Sequence, residues 1–239
     1  MGTGLYGHVV DVLGQAIVDG TMHTGQVVYA EQLCEQLGVS RSVVREGLRA
    51  HSSMGLIEAR PQVGTRVLSS SNWDLLNPQV VTWRGQSGDY VHQMRELLEF
   101  RLGIAPTAAN LAATRIPIAD AEELLKSGID MRNAMDASDR HAFFSADAVF
   151  HRLLLQGSGN AVIAQFADTI QAALHSRTRD ANPESAELNA LSLQRHLDLA
   201  QAVIDRDAAQ AESFARTIIE ETLLEFNEVM PFAAASAAE

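Results

Sequence analysis

The sequence predicts a mainly α-helical chain in which an N-terminal winged helix-turn-helix is followed by an all-helical antiparallel bundle. Three observations predict it. Residues 31–53 hold two short helical patterns separated by a glycine turn, and the second carries arginines at 41, 45 and 49. Two short extended runs follow, joined through Pro61 and Gly64. After residue 70 every apolar pattern has a helical period, broken at proline and glycine, with no alternation of the strand type.

The elements follow in chain order. Leu5, Val9, Val12, Leu13, Ala16 and Ile17 space one apolar helical face over 5–19. YAEQLCEQLG places Leu33 and Leu37 at i, i+4 and ends at Gly38, a helix stop. Val39 leads into Ser40, an N-cap residue type, so GVSRSVVREGLR starts a new helix there. On that helix Arg41, Arg45 and Arg49 lie at i, i+4, i+8 and drift only about 40° per pair along one face. Val43, Val44 and Leu48 lie on other faces, free to enter a small core. An arginine fork matches phosphate oxygens and the O6/N7 edge of guanine. The stripe alone also fits a plain solvated helix face. Its flanks decide otherwise: a helix and glycine turn before it, and after it the runs Leu56–Ala59 and Thr65–Leu68, a β-hairpin wing carrying Arg60 and Arg66.

Residues 69–90 mark a boundary, rich in Ser, Asn, Pro and Gly, yet holding Trp73, Leu75, Leu76, Val80, Val81 and Trp83. A plain flexible linker carries no such apolar load, so this stretch packs against its surroundings around a short helix. Helices are then expected near 89–113, 118–135, 138–156, 160–179, 184–206 and 207–230, with Pro106 kinking or splitting the first. The domain reading is 1–70 winged helix-turn-helix, 71–88 linker, 89–231 helical domain and 232–239 flexible tail.

Composition narrows the classes. A chain of 239 residues with 46% hydrophobic content can bury two cores. It has no apolar run of the ~18 residues that a membrane helix needs. Its start lacks the basic and apolar regions of a signal peptide, and Tyr6 departs from the myristoylation pattern. The single cysteine, Cys34, excludes an internal disulfide and suits a reducing cytoplasm. The net charge of −12 is uneven. Residues 1–70 hold five arginines against six acids, net −1, and the remainder 13 basic against 24 acidic residues, net −11. All five arginines fall within 41–66, so a local positive patch can meet phosphates. A near-neutral reading domain binds modestly alone, which points to a homodimer on two half-sites.

In the helical part, FFSADAVFHRLL puts Asp147 and His151 one turn apart on an inward face. His196, in LSLQRHLDLAQAV, lies on another inward face. One carboxylate and two imidazoles from two helices form a ligand set for Zn²⁺, Mn²⁺ or Ni²⁺, and equally a buried Asp–His hydrogen bond without metal. Arg101, among Leu97, Leu98, Phe100 and Leu102, either reaches solvent or holds an anion in a cavity. His8, His23 and His51 are read as surface residues of the N-terminal part, and His92, His141 and His175 have no paired ligand at helical spacing. There is no nucleophile elbow, phosphate-binding loop, dinucleotide fingerprint or HExxH motif.

GVSRSVVREGLRAHSSMGLIEARPQVGTRV resembles the winged-helix signature of the GntR family of bacterial transcription factors. LLEFRLGIAPTAANLAA, DAVFHRLL and the helix with His196 resemble the FCD ligand-binding domain of its FadR subfamily. NWDLLNPQVVTW is similar to the branch responding to gluconate, galactonate and related sugar acids. The resemblance implies that Ser40, Arg41, Ser42, Arg45 and Arg49 contact operator DNA, with Gly64 and Thr65 at the wing. It implies a metal site at Asp147, His151 and His196, whose usual fourth ligand position falls at Ile218, a residue that cannot ligate. Water or an effector carboxylate then completes the shell, or the site binds effector directly. It implies that Arg101 pairs with an effector carboxylate, beside Ala105 where the family carries glutamate. The expected function is a ligand-responsive DNA-binding regulator, a repressor released by a small carboxylate, with no enzymatic activity. The alternatives are a metal-dependent enzyme in the helical domain and a ligand-independent DNA binder.

Overall fold

Helix α1 (Leu5–Val18) buries Val9, Val10, Leu13 and Ile17 along one stripe, which is the face its sequence period marks out. The computed structural model describes residues 4–60, 64–178 and 189–229, and the chain divides into two compact units, residues 1–90 and 91–239.

The first unit continues with β1 (Val27–Val28), α2 (Ala30–Leu37), α3 (Arg41–Ser53), β2 (Ile57–Arg60), β3 (Gly64–Val67), a 3₁₀ turn at Ser70–Asn72 and α4 (Pro78–Arg84). Gly38 closes α2 in the left-handed conformation, with φ 64°, where a side chain is strained. Ser40 then caps α3, its hydroxyl accepting from the Val43 amide. The wing strands pair antiparallel with Ile57 opposite Val67 and Arg60 opposite Gly64, one residue away from the spans expected at each end. A third strand, β1, pairs with β3, giving the order β1-β3-β2. The sequence does not announce β1, because two residues show no alternation.

The core of this unit joins Val9, Leu13, Val44, Leu56, Ile57, Val67, Val80 and Trp83. Trp83 comes from α4, which Asn77 caps and Pro78 begins at a position where its missing N–H is harmless. The Trp83 indole lies against Gly14, where a Cβ would sit 2.5 Å from the ring. His51 corrects the expectation of a surface residue: it is fully buried. Its Nδ1 lies 2.7 Å from the Gly47 carbonyl, its Nε2 3.1 Å from that of Val10, and its ring stacks on Trp83 at 5.6 Å.

The second unit is helical throughout its described residues: α5 (Tyr90–Arg115), α6 (Ile118–Asp136), α7 (Arg140–Gly157), α8 (Ala161–Ala164), α9 (Ala167–Ser176), α10 (Ala190–Ile204) and α11 (Ala208–Val229). Pro106 does not split α5, which runs through it as one element. The single helix expected at 160–179 is two, because the chain turns at Gln165–Phe166, where Phe166 meets Phe100 edge-on. The start of the helix expected at 184–206 and the tail at 232–239 lie outside the described residues. Leu124, Met131, Phe150, Leu154, Leu199, Val203 and Ile218 form the centre of the core. The corner before α11 places Arg206 at φ 61°, and its guanidinium donates to the carbonyls of Ala113 and Ile116, which the C-terminal end of α5 leaves without helical partners. No helix among the described residues is long and apolar enough to cross a membrane.

Candidate functional site

Asp139 caps α7, its carboxylate accepting from the Ala142 amide, and so fixes the helix that presents Asp147 and His151 one turn apart. Asn189 caps α10 in the same way and fixes the helix that presents His196. Arg101 enters from α5. All four side chains are buried, in a chain where most charged groups face water.

Their hydrogen atoms can be placed by the partners they keep. His196 Nδ1 lies 2.7 Å from the Ser192 carbonyl, an acceptor, so Nδ1 carries the proton and Nε2 a lone pair. Arg101 Nη2, which can only donate, lies 2.9 Å from His151 Nε2, so that nitrogen also offers a lone pair. Asp147 Oδ1 lies 3.2 Å from His151 Nε2 and 3.4 Å from His196 Nε2. Neither approach makes a hydrogen bond: Asp147 Oδ1 and His196 Nε2 are buried atoms with no hydrogen-bond partner. One potential ligand atom from each of the three residues therefore lies within 4.8 Å of the others. Converging lone pairs in a buried place repel one another unless a cation lies among them. One carboxylate and two imidazoles are donors that zinc, manganese or nickel accept, so these residues fit a divalent ion.

Burial opposes charge on Asp147, but attraction to His151 and His196, which operates when an imidazole turns an N–H or a positive charge toward it, outweighs burial and holds its carboxyl well below the usual carboxylate range. Burial, with Arg101 beside it, lowers His151 to about 4, which keeps the imidazole neutral and able to ligate near neutral pH. Burial lowers Arg101 to about 10, against the attraction of Asp147, and it stays a cation.

The cluster opens into a small pocket whose enclosed cavity is about 30 Å³. Phe143 and Phe144 form an apolar side, and Ile218 and Thr222 of α11 line another. Ile218 thus stands at the site itself and brings it a methyl surface rather than a ligand. Arg177 also lines the pocket, its guanidinium 4.8 Å from the Phe144 ring centre. Sequence reasoning missed Arg177, which follows the end of α9 and shares no helical spacing with the other groups. It also missed Asn189 and Glu225, which hydrogen-bond to each other at the pocket wall. Ala105 lies buried beside Arg101 and His151, facing Leu154, Leu155 and Ile170.

The first unit presents a contrasting surface. Arg41, Arg45 and Arg49 project from α3 with side chains 82%, 68% and 68% exposed. Arg49 bonds to Glu46 at 2.9 Å, and Arg41 and Arg45 approach Glu31 and Glu46 only loosely, at 3.6 and 3.9 Å. Ser40 and Ser42 share a hydroxyl–hydroxyl bond at the start of the same helix. Gly64 and Thr65 open strand β3. Arg66 is held to the Gly25 carbonyl at 2.8 Å, tying the wing to the loop before β1. His92 does have a partner at helical spacing, Glu96 at 3.4 Å, and both are exposed on α5.

Comparison with known proteins agrees with both units. Residues 5–67 match the sequence model of bacterial regulatory proteins, gntR family, and residues 96–221 match that of the FCD domain. The chain is 28% identical over 225 residues to the galactonate operon transcriptional repressor of Escherichia coli, covering 92% of this chain and 96% of that protein. It is 30% identical over 226 residues to the HTH-type transcriptional regulator Mce2R of Mycobacterium tuberculosis, covering 89% of this chain and 87% of the other. Among solved structures, Lar of Listeria monocytogenes has the same fold at a TM-score of 0.64 and 16% identity, covering 95% of this chain and 99% of that one.

Proposed function

Because the chain belongs to the gntR family of bacterial regulatory proteins and carries an FCD domain, we propose that it is a homodimeric transcriptional repressor released from its operator by a sugar acid or similar small carboxylate. The observation that carries this reading is the pocket that gathers Arg101, Asp147, His151 and His196 in a unit separate from the exposed arginines of α3. Exposed arginines read DNA, and a buried guanidinium with ligating imidazoles reads a small anion. The relative named for a galactonate operon supports a sugar acid as the class of ligand.

In this reading Asp147, His151 and His196 would hold a divalent ion, which would supply Lewis acidity toward the oxygens of a ligand. Arg101 pairs with the ligand carboxylate, and Arg177 adds a second positive edge above Phe144. Phe143, Phe144 and Ile218 keep water from that pairing. Arg41 and Arg45 reach base edges, Ser40, Ser42 and Arg49 meet phosphate, and Gly64 and Thr65 bring the wing against the backbone. Ligand then acts as an effector in the thermodynamic sense: it lowers DNA affinity only by binding the DNA-free form more tightly.

Gel shift of the purified chain on its own upstream region, with and without D-galactonate and D-gluconate, tests the reading. The expected result is a shifted band that one of these acids dissolves. A band that no small carboxylate weakens contradicts it.

A further inference from the structure

Arg101 Nη2 donates to His151 Nε2, the same nitrogen that lies 3.2 Å from Asp147 Oδ1, in a ring packed edge-on against that of His196. That nitrogen has one lone pair, and it can hold a proton donor or a metal ion but not both. The guanidinium also carries a positive charge and lies buried at the site, so it competes with a cation twice, by position and by repulsion. The fourth corner of the cluster offers no help: Ile218 supplies no donor atom. Asp147 faces three positively charged or ligating neighbours with a single carboxylate.

We propose that Arg101 is a built-in competitor for the metal site, so that a divalent ion can ligate His151 only when Arg101 leaves it. The displaced guanidinium needs a new partner, and a carboxylate in the pocket provides one. Metal and carboxylate therefore bind with positive cooperativity, each making room for the other, and by linkage each tightens the other by the same factor. This rests on the proposed function only in placing a carboxylate at Arg101. A small apolar space lined by Ile104, Ala105 and Leu154 borders the guanidinium on its other side. Position 105 carries no carboxylate, Glu225 at the pocket wall is held by Asn189, and Asp147 is committed to the cluster, so an incoming carboxylate can supply the counter-charge.

The test is zinc affinity of the full-length protein, measured by competition with a chromogenic chelator, for wild type and Arg101→Met, with and without saturating D-galactonate. Met keeps length and removes donor and charge. Wild type is expected to bind zinc weakly alone and about tenfold or more tightly with the acid. Arg101→Met is expected to bind zinc more tightly than wild type without the acid, and to gain nothing from adding it. Arg101→Gln serves the same purpose if Arg101→Met does not fold. Zinc affinity that is unchanged or weaker in the Arg101 variant, or zinc binding in neither protein, overturns the proposal. Tighter zinc in the variant with no effect of galactonate on wild type keeps the competition and instead removes galactonate as the ligand.

Discussion

Arg45 and Arg101 are the same residue in opposite surroundings. Arg45 keeps 68% of its side chain exposed and approaches Glu46 at 3.9 Å. Arg101 is 5% exposed and bonds to a buried histidine at 2.9 Å. The first is solvated, so it is stable without any partner and free to meet whatever charged surface arrives. The second is held where water cannot compensate it, so its position depends on every group around it. In the proposed function one arginine recognises and the other responds, and the difference in surroundings matches that division.

The sharpest way to break the comparison is to remove the charge that opposes Arg101. Asp147→Ala leaves a buried guanidinium without its counter-charge. It is expected to destabilise the helical unit by about 3–5 kcal/mol, seen as a lower melting temperature, and to abolish zinc binding. The corresponding change in the first unit should do nothing to stability. Arg45→Ala is expected to leave the melting temperature unchanged while weakening operator binding by about 1–3 kcal/mol in a fluorescence-anisotropy titration. If Arg45→Ala lowers stability or spares DNA binding, the division of roles fails.

A third prediction concerns His51, the buried group of the reading unit. Burial pushes its pKa below 6.5, more strongly than the Gly47 and Val10 carbonyls and Asp11 raise it. A histidine lowered on folding binds fewer protons folded than unfolded. Its contribution is intact above 6.5 and is lost as pH falls below that value. Urea unfolding of wild type should thus weaken on acidification from neutral pH, and His51→Gln should flatten that part of the profile. The smallest effect is expected at Arg49, already paired with Glu46. Arg49→Ala should lower the slope of log affinity against log salt by about one unit, with sequence preference retained.

Much of this division is legible in the sequence. Gly38 followed by Ser40 fixes a turn and a cap, and the arginine spacing then fixes a face. Asp147 and His151 at i, i+4 on an apolar helix announce an inward pair. What stays hidden depends on contacts between segments distant in the chain. Arg177 gains meaning from Phe144, and Asn189 from Glu225, which no local period relates. His51 is polar and sits on a helix bearing three exposed arginines. Its burial follows from Gly47, where α3 comes so near α1 that a Cβ would lie 2.8 Å from Val9, and from a Trp83 ring 32 residues further on. Strand β1 is two residues long and exists because β3 pairs with it.

The account stands on a link between the buried arginine and the exposed ones, and one measurement addresses it. Fluorescently labelled upstream DNA is bound to the zinc-loaded protein and titrated with D-galactonate or D-gluconate. Wild type should release DNA at a defined concentration of one acid, and Arg101→Met should hold its DNA throughout the same titration. Release by the acid that is equal in wild type and Arg101→Met would contradict it.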